Sequence, residues 1–205
     1  LSWQESAALH INDTDKDEFF SNVINKVFNL FICFCIGILA CLPFVFELLI
    51  KDSYREAYKY VPILLLANIF SVLIGLIGSI YVAKKMTKEV AKTTMIAAII
   101  NLTIDIALIK VIGIYAAAIS TLVSYMLLAI YIYIDVQKYV KVKIPIKNIV
   151  VNSIIFILVV VLYLYNNIAL NVINLLLCIL YAIIVNKELL IEFKKVIGKK
   201  VKNIN

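Results

Sequence analysis

Residues 99–125 read IINLTIDIALIKVIGIYAAAISTLVSY. Two apolar runs meet at a tight Lys110-Val111-Ile112-Gly113 corner. Asn101 and Asp105 stand four residues apart in the first run, so a helix puts them on one face. Ala116, Ser120 and Ser124 recur every four residues in the second, and small residues at that spacing let membrane helices approach closely. A polar group inside an apolar span normally faces a bundle interior or a water-filled cavity. The stretch therefore predicts a helical hairpin within a membrane carrier rather than a simple anchor.

Composition extends this reading to the whole chain. Of 205 residues 64% are hydrophobic and 16% charged, with mean hydropathy +1.02. Soluble domains are nearer half apolar and a quarter charged, so lipid must cover much of this surface. The apolar runs are continuous rather than alternating, which excludes a β-barrel. The fold class is an all-α, polytopic membrane helix bundle.

Six apolar stretches are expected to span, at 27–50, 61–83, 93–109, 112–134, 149–165 and 168–185. A hydrocarbon core of ~30 Å needs about 20 helical residues. The third, fifth and sixth stretches are short and need flanking residues to reach the interface. Pro43 is expected to kink the first span, and Pro62 suits the first turn of the second. With six spans the connections alternate between two sides. One side holds 1–26, 84–92, 135–148 and the tail from 186, with sixteen of the 20 Lys and Arg. The other holds only Lys51, Arg55, Lys59 and Lys110. That asymmetry follows the positive-inside rule and puts both ends of the chain in the cytoplasm.

The organisation that follows is a connecting segment (1–26), four spans (27–134), a basic loop (135–148), a terminal helix pair (149–185) and a basic tail (186–205). The connecting segment is polar and acidic. Asn12-Asp13-Thr14 can cap an interfacial helix beginning near Asp15. The tail sets Leu190, Phe193, Ile197 and Val201 against six lysines, the pattern of an amphipathic helix lying on anionic lipid. The net charge of +7 follows this topology and does not point to nucleic acid. Leu1 is not Met and no secretory leader opens the chain, so it reads as the C-terminal part of a longer protein.

Asp105 is the sharpest polar feature. It can bind a cation, take up a proton or orient a polar headgroup. The competing reading is a carboxylate that snorkels or pairs with Lys110 near the span end. Asn101 is close enough to hydrogen-bond it. Asn68, Asn152, Asn171 and Asn174 add amides to other spans, for inter-helix bonding or cavity lining. Ser71, Gly75 and Ser79, with Gly78, mark a second packing seam. Glu47 and the tyrosines at 54, 58, 60, 81, 131, 133, 163 and 165 lie near predicted boundaries, where such groups favour the headgroup level. Cys33, Cys35, Cys41 and Cys178 lack metal-ligand spacing and read as small core or lipid-facing residues. No phosphate-binding loop, metalloprotease helix or nucleophile elbow occurs. The chain is read as non-enzymatic, with no cofactor and no metal.

Four stretches carry a resemblance: Trp3-Gln4-Glu5-Ser6, YKYVPILLLANIFSVLIGLIGSIYVAKKMTK from Tyr58, NLTIDIALIKVIGIYAAAISTLVSY from Asn101, and Tyr131 to Tyr139. Together they cover most of 1–139 and resemble the C-terminal part of bacterial polysaccharide flippases, the O-antigen or Wzx-type exporters of the multidrug/oligosaccharidyl-lipid/polysaccharide superfamily. The resemblance implies about fourteen spans in two lobes plus an extra pair, of which these six are the last. It implies alternating-access movement of a polyprenyl-diphosphate-linked oligosaccharide across the bacterial inner membrane, with a missing N-terminal lobe as partner. The chain departs from that pattern at Asp105, where the family often has Asn, and at Ala116, where it often has Gly. Two rival readings are a drug or metabolite exporter of the same superfamily and a membrane scaffold for polysaccharide assembly.

Overall fold

The computed structural model describes residues 3–49, 56–165, 167–187 and 191. All regular structure among them is α-helical: α1 (Trp3–His10), α2 (Lys16–Leu49), α3 (Ala57–Ala83), α4 (Thr87–Ile112), α5 (Tyr115–Val136), α6 (Ile146–Tyr165) and α7 (Ile168–Val185). The last six are each long and apolar enough to cross a membrane. The tail helix, Tyr54 and the side chain of Glu47 lie outside the described residues.

The six expected spans are present; α7 keeps its expected bounds, and the other five extend beyond them at one end or both. The interfacial helix and the first span are one 34-residue helix that runs through Pro43. The third span gains a turn or more at its N-terminal end and reaches 26 residues, so its shortness disappears. Pro62 sits in the second turn of α3, whose start at Ala57 precedes the expected one.

Helix α2 is the spine. At its lysine-rich end it joins α3 and α5 in one apolar cluster around Phe20, Ile24, Ile77, Ile80 and Val136. Further along, Ile36 and Leu39 join Ile69, Val159 and Tyr181 in a second cluster. The terminal pair α6–α7 therefore packs on α2, while α4 packs chiefly on α5. The α4–α5 corner closes through the Gly113 amide, which donates to the Ile109 carbonyl at 3.0 Å. Gly113 has φ 58° and ψ −135°, a conformation in which a Cβ is strained.

Two parts of the lysine-rich end were not expected. Helix α1 packs on α3: the Trp3 indole donates to the Leu76 carbonyl at 3.2 Å and meets Phe20 edge-on at 5.7 Å. The basic loop is also partly core, with Val140 and Val142 fully buried. Its backbone is strapped along α2. Asp17 accepts from the Lys141 amide at 3.0 Å, Ser21 accepts from the Lys143 amide at 2.9 Å, and Asn25 donates to the Lys143 carbonyl at 2.8 Å. Residues 17, 21 and 25 recur every four positions, so one helix face supplies all three.

Two tyrosines assigned to the interface turn inward. Tyr81 donates to Asp135 at 2.6 Å, and Tyr163 is sealed against Tyr58 with rings stacked at 4.0 Å. Tyr131 and Tyr165 do stay exposed. Asp135 also pairs with Lys138 at 2.6 Å, and that hydrogen-bonded carboxylate holds the lysine above its ordinary pKa.

Candidate functional site

Asp105 and Asn101 both lie on α4 and are half-buried, but they do not hydrogen-bond each other. Asn101 reaches across to α5, where its Nδ2 donates to Thr121 Oγ1 at 3.2 Å and Ser124 Oγ at 3.3 Å. The two hydroxyls can accept because their own protons are committed to α5: Thr121 donates to the Ala117 carbonyl at 2.7 Å and Ser124 to the Thr121 carbonyl at 3.0 Å. Asp105 is one turn nearer the corner. Its Oδ1 is buried with no hydrogen-bond partner among the described residues. Lys110 is exposed, and no ion pair to Asp105 forms. Local pairing therefore does not account for the carboxylate. A buried acceptor without a donor is costly, so Asp105, like Asn174 and Asn186 whose Oδ1 atoms are also buried without a partner among the described residues, is a point where a proton, a cation or a polar group would be stabilised.

Ala116, Ser120 and Ser124 are fully buried. The α3 seam divides. Ser79 is buried and donates to the Leu76 carbonyl at 2.7 Å. Gly75 is exposed and Ser71 half-buried, and a Cβ built on Gly75 or Gly78 meets nothing within 4 Å. Among the described residues no atom therefore packs tightly against either glycine.

Asn68 is also exposed, on the same face of α3 as Ser71, Gly75 and Gly78. At its lysine-rich end this face borders α4 across a cavity of about 170 Å³ lined by Gly75, Gly78, Thr93 and Thr94. The two helices are antiparallel. Equal steps from Gly78 opposite Thr94 bring Ser71 to the height of Asn101, and leave Asn68 about one residue, ~1.5 Å, short of the height of Asp105. Sequence reasoning named these residues separately. The fold brings them to nearly matching heights on neighbouring helices, without a direct bond between them.

A second polar system joins α2, α6 and α7 through asparagines for which inter-helix bonding or cavity lining is expected, with partners the sequence does not indicate. Asn152 on α6 donates to Asn29 Oδ1 on α2 at 3.0 Å and accepts from the Tyr181 hydroxyl on α7 at 2.5 Å. Asn174 donates to the Val159 carbonyl at 3.3 Å, and Cys178 Sγ contacts the Ile36 carbonyl at 3.6 Å. The only sequence signal was the scatter of asparagines through apolar runs. All four cysteines are free, and no cluster of metal-ligating side chains occurs among the described residues. Comparison with known protein families, with curated proteins and with solved structures finds no match to this chain.

Proposed function

We propose that the chain is the C-terminal part of a bacterial inner-membrane flippase. It moves a polyprenyl-diphosphate-linked oligosaccharide by alternating access, with both described ends of the bundle on the cytoplasmic side. The observation that carries this reading is the bare α3–α4 face. On α3, Asn68 and Gly75 are exposed and Ser71 and Gly78 half-buried along one face, and on the neighbouring α4 the buried Oδ1 of Asp105 has no hydrogen-bond partner among the described residues. Lipid is a poor neighbour for such a face, whereas a polar transport cavity facing a second lobe is a good one. The resemblance of the α3 and α4–α5 stretches to oligosaccharide exporters supplies the cargo class. In this mechanism pyrophosphate and sugar occupy the polar cavity, and the polyprenyl tail remains in lipid.

The test is deletion of the gene for the full protein, with complementation by wild type and by Asp105→Asn. Deletion should leave lipid-linked oligosaccharide on the cytoplasmic leaflet and remove surface polysaccharide, and the wild type should restore it. Normal surface polysaccharide with lost efflux of small cations would transfer the protein to the drug-exporter class. Unchanged export and ion dependence in Asp105→Asn would remove the carboxylate from the mechanism.

A further inference from the structure

Two cavities of opposite character follow one another along α2 and α6. The first, at the lysine-rich end, has a volume of about 230 Å³ and is lined by Asn22, Asn25 and Asn29 of α2, Asn148 of α6 and Asn186 beyond α7. The second, also about 230 Å³, lies where α3 and α6 flank α2, and Ile32, Ile69, Phe70, Phe156 and Ile157 line it. They adjoin: Phe28 of the apolar chamber precedes Asn29 of the polar one, and Asn148 precedes Ile149. The Asn152–Asn29 hydrogen bond joins the two, with Asn152 on the apolar side and Asn29 on the polar side.

We infer that this pair of cavities binds one anionic glycerophospholipid from the leaflet at the lysine-rich end. The headgroup sits in the asparagine cup and one acyl chain in the apolar chamber. A polar cup beside an apolar slot has the amphiphilic character of a lipid. From Ile149 to Ile157 the slot runs ~12 Å along α6, at 1.5 Å per residue. The charge is complementary as well. Lys26 lines the cup, and the exposed Lys147 and Lys187 adjoin Asn148 and Asn186. Asn186 is 7% exposed, and its Oδ1 has no donor among the described residues, whereas its Nδ2 is held by the Ala182 carbonyl. Amides at the wall suit the phosphate oxygens and hydroxyls of a glycerol headgroup better than a bulky quaternary ammonium.

The full protein, purified in mild detergent, would be titrated with phosphatidylglycerol or phosphatidylcholine and read by native mass spectrometry. One phosphatidylglycerol should bind in preference to phosphatidylcholine. Its apparent affinity should fall about tenfold or more in Asn22→Leu/Asn148→Leu, which strips the cup, and in Ile157→Trp, which fills the slot. Val161→Trp, at an exposed α6 position outside both cavities, should leave binding unchanged. Equal retention of the two lipids, unchanged binding in both cavity variants, or equal loss in the Val161 control would each overturn the site. None of these readouts depends on what the protein transports.

Discussion

The Asn29–Asn152–Tyr181 relay gives a sharp test of how this bundle is held together. Asn152 and Tyr181 are each 5% exposed, and Asn152 joins α6 to both α2 and α7. An inter-helix hydrogen bond in a membrane protein contributes about 0.6 kcal/mol on average and up to about 1.7. Asn152→Leu removes two bonds and leaves the Tyr181 hydroxyl buried without an acceptor, a penalty of about 1–3 kcal/mol for the orphaned group. The expected loss is about 2–3 kcal/mol on these figures together. Tyr181→Phe removes one donor and should cost about 1–2 kcal/mol. The double variant leaves no orphaned hydroxyl, so it should be about 1 kcal/mol less destabilised than the two single losses added. Reversible unfolding in mixed micelles, followed by helical signal, measures the cycle. Additivity within about 0.3 kcal/mol would refute the relay, because uncoupled residues behave that way.

Three further outcomes follow from the geometry. Gly113→Ala should destabilise the bundle by about 1–3 kcal/mol, since φ 58° with ψ −135° strains any Cβ; an unchanged unfolding midpoint would contradict the corner. Gly75→Ala should leave stability unchanged or raise it by about 0.5–1 kcal/mol, because the new methyl meets nothing and helical glycine is unfavourable. Gly75→Leu in the full protein should then impair transport without unfolding it, and full activity would argue that this face is idle. Asp17→Ala should raise hydrogen exchange at the Lys141 amide roughly tenfold by removing its carboxylate acceptor. Equal protection in the variant would mean that the strap is held by other contacts.

The span count was legible in the one-dimensional pattern because crossing a bilayer is a property of each segment against lipid. A run of about 20 apolar residues is enough, whatever its neighbours are. The same holds for the corner at Gly113, and for the α5 seam, whose small residues had to face another helix. Element ends were less legible. The polar first turns of α2 and α4 carry charge that hydropathy reads as loop, yet their backbones continue the helix beyond the apolar run.

Partner choice belonged to the tertiary structure. These helices are apolar on nearly every side, so no amphipathic stripe says which face meets which neighbour. Nothing in Asn101 indicated Thr121 and Ser124 rather than Asp105, and nothing in Tyr163 indicated the interior rather than the headgroups. Asn29, Asn152 and Tyr181 lie far apart in the chain and become one relay only when α2, α6 and α7 converge. The exposure of Gly75 beside the burial of Ser79 was likewise decided by where α5 packs. Composition and periodicity determine whether a segment enters the membrane. Which of its faces stays bare depends on packing and hydrogen bonding between segments distant in sequence, and that arises only in three dimensions.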